Sequence, residues 1–245
     1  MYMTGTIKVH AGLSNPQSAA AEQLSRILHA RSHSPVLLLL SGGSALDVAD
    51  YLKEKDLGGH VTVSVVDDRY STDPEVNNFA QLKKRGISDQ CENANVDMLH
   101  TEVKDGESLG EYARRYESQI KHWFAYHPAG VIIALLGIGS DGHTAGILPH
   151  PDNKPAFHNL FEDEETFVVG YDAGDKNKYA LRATVTNYFL RKHVHYAVAF
   201  VSGDNKRDAL EATLSSSGEL HVTPARILKE MRDVTLYTDL AVSHA

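Results

Sequence analysis

Apolar positions along the chain follow two rhythms. Val36–Leu40 and residues 131–136 are unbroken apolar runs rich in branched side chains, the pattern of strands covered on both faces of a parallel sheet. Residues 61–66, 195–201 and 234–238 read as further strands, and shorter ones are predicted over 6–10, 96–99, 167–171 and 179–186. Between them the apolar residues recur at helical spacing. Ala19, Leu24, Ile27 and Leu28 mark a helix over 15–30, with Pro16 in its first turn. Leu109, Tyr112, Tyr116, Ile120 and Phe124 form one stripe of a helix over 107–126. Helices are also predicted over 45–55, 77–85 and 206–214, and a helical tail after residue 238. Alternating strands and helices predict an α/β fold with an open, largely parallel sheet and helices on both faces. The chain is read as one domain, residues 1–245.

Composition narrows the class. The 245 residues are 42% hydrophobic and 23% charged, in the range of soluble globular proteins. No apolar run approaches the ~18 residues of a spanning helix, and the first ten residues carry no signal pattern. Cys91 is the single cysteine, so no internal disulfide is available. A cytoplasmic protein without membrane partners is expected. The net charge of −8 comes without a basic stripe, which argues against nucleic acid. The sequence is compatible with a monomer or a homodimer. His193 and His195 would share a strand face and suit a metal, but a lone H-x-H is more often surface or core histidine. No metal is expected.

The strands end in loops with chemistry. Residues 131–149, V-I-I-A-L-L-G-I-G-S-D-G-H-T-A-G-I-L-P, run from a buried strand into glycines carrying Asp141 and His143. Gly137, Gly139 and Gly142 match G-x-G-x-x-G, a weak dinucleotide signal by itself. Pro149 leaves room for barely a turn or two of the helix that such a site needs, so no cofactor is expected. Ser41-Gly42-Gly43-Ser44 follows another strand. It reads either as a phosphate-binding strand–helix junction or as a tight turn with Ser44 as N-cap and Asp47 as its capping-box partner. Asp67-Asp68-Arg69 offers acid–base and anion-reading groups, and Ser202-Gly203-Asp204-Asn205-Lys206 offers a lysine. In a parallel sheet such loops converge beyond the carboxyl ends of the strands. The combination reads as acid–base chemistry on a small phosphorylated molecule.

These motifs resemble a known family. Residues 136–149 are similar to the L-G-x-G-x-D-G-H-T-A-S-L-F-P signature of 6-phosphogluconolactonases. In the same order, Ser41-Gly42-Gly43 resembles the family's S-G-G loop, Asp67-Asp68-Arg69 its D-E-R, Asn77-Asn78 its S-N, residues 182–186 its R-I-T-L-T strand, and residues 202–206 its G-x-x-K. The related glucosamine-6-phosphate deaminases carry D-G-H-I-A-F-N-E-P there. Thr144 falls on the lactonase side, and Leu148 stands where the deaminases have a ring-opening Glu. Asp68 replaces the usual Glu, and Gly146 and Leu148 replace Ser and Phe.

The resemblance implies a Rossmann-like sheet and hydrolysis of 6-phospho-D-glucono-1,5-lactone to 6-phosphogluconate in the pentose phosphate pathway. It implies His143 as general base toward water, a residue type that exchanges protons near neutral pH. Asp141 orients it, Asp67 is a second acid–base candidate, and Arg69 or backbone N–H groups meet the oxyanion. Ser41, Gly42, Gly43, Ser44, Gly139, Arg182 and Lys206 bind substrate or phosphate. Two rival expectations are a deaminase or isomerase of amino-sugar phosphates and a non-catalytic sugar-phosphate-binding protein.

Overall fold

The structure, a computed structural model, describes residues 7–242. In chain order its elements are β1 (Ile7–His10), α1 (Pro16–Ala30), β2 (Val36–Leu40), α2 (Leu46–Ala49), β3 (Val61–Val65), β4 (Asp67–Arg69), α3 (Asn78–Lys84), α4 (Ile87–Asn93) and β5 (Asp97–Met98). There follow α5 (Leu109–Tyr126), β6 (Val131–Gly137), α6 (Lys154–Phe161), β7 (Val168–Asp172), β8 (Leu181–Val185), α7 (Asn187–His193), β9 (Tyr196–Val201), α8 (Arg207–Leu214) and β10 (Val234–Thr238).

The main sheet has the order β1-β10-β9-β6-β2-β3-β5, and every pairing in it is parallel. Its two central strands, β2 and β6, are the unbroken apolar runs, and every residue of β2 is buried. From β2 the chain moves outward through β3 to β5, and from β6 it moves the other way through β9 to β10. The sheet's switch point therefore lies between β2 and β6, where a crevice opens at the carboxyl ends.

The long helices form where their caps and stripes agree. Asn15 caps α1 by accepting the Ser18 N–H at 3.0 Å, with Pro16 at the first position. Ser108 and Glu111 form a capping box at the start of α5. The α5 stripe buries Tyr112, Ala113, Tyr116, Ile120 and Trp123, while Leu109 and Phe124 are only partly covered.

Four expectations are corrected. The helix predicted over 45–55 is a 3₁₀ turn over 43–45 followed by the single turn α2. Asp56 accepts the Lys53 N–H at 2.9 Å and the Ser25 hydroxyl at 2.6 Å, which draws the chain into a separate turn beside α1. The excursion over 151–165 carries α6, started by the Asn153 cap and Pro155 and anchored by buried Phe157 and Phe161. No helical tail follows β10 over 239–242, and residues 243–245 and Thr6 lie outside the described residues. Finally, β4, β8 and β7 do not extend the main sheet but form a separate antiparallel sheet in that order.

His193 and His195 do not share a strand face. His193 ends α7 amid Phe124, Phe167 and Phe189, and His195 Nδ1 accepts the Ile132 N–H at 3.1 Å. Burial, and then the nearby Arg232 charge, hold both imidazoles below the usual histidine range. The unfolded chain takes up protons near pH ~6.5 that these folded imidazoles refuse, so stability is lost as pH falls through that range. His193→Phe, which removes one such group within an aromatic cluster, should therefore keep more of its pH 8 urea midpoint at about pH 5 than the wild type keeps.

Candidate active site

The crevice at the switch point is a cavity of about 300 Å³. It is lined by Ser41, Gly42, Gly43, Ser44, Asp67, Arg69, Gly139, His143, Arg182 and Lys206, which are all the sequence-derived site residues except Asp141. Asn78, Ser140, Ala145 and Gly146 line it as well.

Two walls come from the main sheet. The loop after β2 is held down by the Ser41 N–H donating to the Leu135 carbonyl at 3.0 Å. Gly43 adopts φ +63°, open to glycine at little cost. Ser44 lies inside the 3₁₀ turn rather than capping a helix, and the turn has no side-chain cap. Its hydroxyl instead accepts the Lys206 ammonium at 2.8 Å. Asp47, the expected capping partner, pairs with Arg85 at 2.9 Å. Burial pulls the Lys206 ammonium below its ordinary range, partly opposed by Asp47 and Asp239.

The loop after β6 contains no helix before α6, which removes the phosphate-facing helix that the dinucleotide fingerprint requires. It folds as tight turns instead. Gly139 N–H donates to the His143 carbonyl at 2.9 Å, and Thr144 Oγ1 donates to the Gly137 carbonyl at 2.8 Å. His143 Nδ1 meets Asp141 Oδ1 at 2.5 Å, and the same oxygen accepts the His143 N–H at 3.1 Å. Burial alone would raise the Asp141 carboxyl, but the hydrogen bond and charge of His143 hold it below the usual carboxylate range. An ionised Asp141 only accepts, so the hydrogen in this short link belongs to Nδ1. The short link is direct, between side chains two residues apart. It forms because the chain doubles back over Gly139, where any Cβ would collide with the imidazole.

The third wall is the antiparallel sheet, the part absent from the sequence reading. Its register pairs Asp67 with Thr184 and Arg69 with Arg182, so these four side chains share one face while Asp68 points to the other. Arg182 and Asp67, 4% and 5% exposed, form an ion pair at 3.5 Å. Arg182 Nε and Nη1 and Arg69 Nε have no hydrogen-bond partner among the described residues. Burial lowers the Arg69 guanidinium somewhat, against the pull of Asp67, and its cation lies 4.4 Å from the Tyr179 ring centroid. This sheet also pins the histidine loop. Tyr171 Oη donates to the Gly146 carbonyl at 2.5 Å and Thr184 Oγ1 donates to the Ala145 carbonyl. Ala145 is held at φ +50°, a costly conformation for a residue with a side chain. Gly146, at φ +69°, packs against Asp67 with no space for a Cβ.

Sequence reasoning left Asn78 and Tyr171 without site roles. Asn78 carried a signal, the Asn-Asn pair after the acidic strand, whereas Tyr171 is an ordinary strand residue whose role depends on tertiary placement. Among the described residues no group of three or more His, Cys, Asp or Glu is placed to hold a metal ion.

Three cationic side chains and an Asp–His pair thus meet at one cavity, at the switch point of the parallel sheet of an α/β protein. The chain belongs to the glucosamine-6-phosphate isomerases/6-phosphogluconolactonase family, which its sequence matches over residues 14–237. It is 26% identical to a glucosamine-6-phosphate deaminase of Staphylococcus saprophyticus over 89% of this chain and 90% of that one. It is also 26% identical to a 6-phosphogluconolactonase of Haemophilus influenzae, over 85% and 86%. The fold is similar to that of 6-phosphogluconolactonase from Trypanosoma cruzi, with a TM-score of 0.75, 21% identity and coverage of 97% and 96%.

Gly139→Ala should push the imidazole off Asp141 while leaving the main sheet intact. In proton NMR the wild type should show a far-downfield Nδ1–H resonance from the short His143–Asp141 bond, and the variant should lose it.

Proposed function

We propose that this protein is a 6-phosphogluconolactonase, with residues 1–245 acting as one catalytic unit that hydrolyses 6-phospho-D-glucono-1,5-lactone. The observation that carries the reading is the pairing of an oriented imidazole, His143 on Asp141 at 2.5 Å, with buried guanidinium N–H groups left unpartnered on Arg182. Desolvated donors of this kind are costly unless an anion meets them, and a phosphate does so.

In this mechanism His143 Nε2 takes a proton from water as the oxygen attacks the lactone carbonyl C1. The negative charge that develops on the carbonyl oxygen meets Arg69 or backbone N–H groups of the glycine loop. Asp141 keeps the ring in the correct tautomer and stabilises the imidazolium. The tetrahedral intermediate collapses by breaking the bond from C1 to the ring oxygen. The imidazolium returns that proton to the ring oxygen, giving the open-chain acid; Asp67, the second acid–base candidate, does so only where it is the group that first took the proton from water. The Ser41-Gly42-Gly43-Ser44 loop, Arg182 and Lys206 hold the phosphate, and Gly139 admits the sugar ring beside His143.

The competing deaminase reading requires a carboxylate at position 148. Leu148 there is fully buried, and its N–H faces the Tyr171 hydroxyl at 3.4 Å, which favours the lactonase. A sugar-phosphate sensor would not need the Asp141–His143 pair.

The test is a coupled assay on freshly generated lactone against the spontaneous rate. Wild type should accelerate hydrolysis, and His143→Ala should lose ~10²–10⁴-fold in kcat with little change in binding. Lys206→Ala should act chiefly on KM. Ammonia released from glucosamine-6-phosphate in place of lactone turnover would transfer the assignment to the deaminase side.

A further inference from the structure

Beneath the pocket lies a carboxylate that the mechanism does not use. Alternation along β4 turns Asp68 away from the cavity, and it has no exposed surface. Four donors converge on it. Oδ1 accepts the Asn78 N–H at 2.6 Å and the Arg69 N–H at 2.8 Å. Oδ2 accepts the Thr101 hydroxyl at 2.7 Å and the Phe79 N–H at 3.4 Å. Asn77 accepts the next N–H of α3, from Ala80, at 2.8 Å. The first free amides of α3 are thus satisfied by two side chains, and Asp68 takes two of them.

What Asp68 holds reaches the pocket. Asn78, fixed by its backbone to Asp68, donates through Nδ2 to the Asp67 carbonyl at 3.0 Å and to Asp67 Oδ2 at 3.4 Å. The same side chain lies so close to Gly42 that a Cβ there would collide with it. One buried carboxylate therefore joins β4, α3 and the segment after β5. Through Asn78 it also joins Asp67 to the loop after β2.

We propose that Asp68 is a positioning residue of the active site: it sets the placement of Asp67 and Arg69 through the Asn78 and Arg69 amides without touching substrate. The proposal rests on the lactonase reading for its kinetic readout only. The charged and titratable groups facing Asp68 are Asp67 and Arg69 on its own strand and Tyr112 and Tyr116 from α5. Burial and the Asp68 charge push the Tyr112 phenol up, so it stays neutral. Burial drives the Asp68 carboxyl up to about 7; the Thr101 and Asn78 donors oppose this, and the Asp67 charge adds to it.

Asp68→Ala, Asp68→Asn and Thr101→Val test this. Asp68→Ala should lower kcat by about 10²-fold, the cost of a small misplacement of reacting groups, with KM changed by less than about threefold. Asp68→Asn keeps an acceptor for the two short amide bonds and should recover most of that loss. Thr101→Val, which removes a single donor, should fold and show a small change in the same direction. Wild-type kcat in Asp68→Ala, or an Asn variant no better than Ala, would overturn the proposal. Hydrogen exchange at the Arg69 and Asn78 amides decides it independently of turnover. Protection should fall in Asp68→Ala, and protection retained there refutes the idea even if the lactonase reading is itself wrong.

Discussion

The site depends on the divergence of β2 and β6. These neighbouring strands pair in parallel along their length, yet their chains leave toward opposite edges of the sheet. No single helix can cover both exits, so their carboxyl ends frame a gap. Everything else in the pocket is an answer to that gap. The loop after β2 brings Gly43 and Ser44, the loop after β6 brings the Asp141–His143 pair, and Lys206 reaches in from the turn after β9. The small antiparallel sheet closes the remaining side with Asp67, Arg69 and Arg182.

Closing that side solves two problems at once. An acidic chain needs local positive potential to receive an anion, and the second sheet supplies two guanidinium groups in register. It also clamps the histidine loop from outside through Tyr171 and Thr184. The loop can then hold Ala145 in a left-handed conformation and turn His143 back onto Asp141. The glycines at 139 and 146 leave the space that the imidazole and the Asp67 carboxylate occupy.

Much of this was legible in the chain because the signals were local. Unbroken apolar runs marked the buried central strands, and the residues just past their ends became the cavity lining. What escaped the sequence was decided by distant contacts. Residues 45–55 have a helical pattern, but Asp56 satisfies Lys53 and Ser25 and breaks it after Ala49. β4 is too short to announce itself, and only its pairing with β8 shows that Asp67 and Arg69 face the pocket while Asp68 does not. Leu148 could be read as a missing carboxylate from sequence. That its position is wholly interior required the fold.

The hydrogen bond from Lys206 to Ser44 joins residues 162 positions apart. Such a contact has consequences for how the molecule is made. During synthesis the loop after β2 emerges long before the lysine that completes it, and β9 must dock beside β6 before that lysine can arrive. Loop-closure entropy over such a span is recovered only when the intervening strands are already in place. Most of the chain is therefore made before the last of the cavity's three positive groups, and that group joins Arg69 and Arg182 only once β9 has docked.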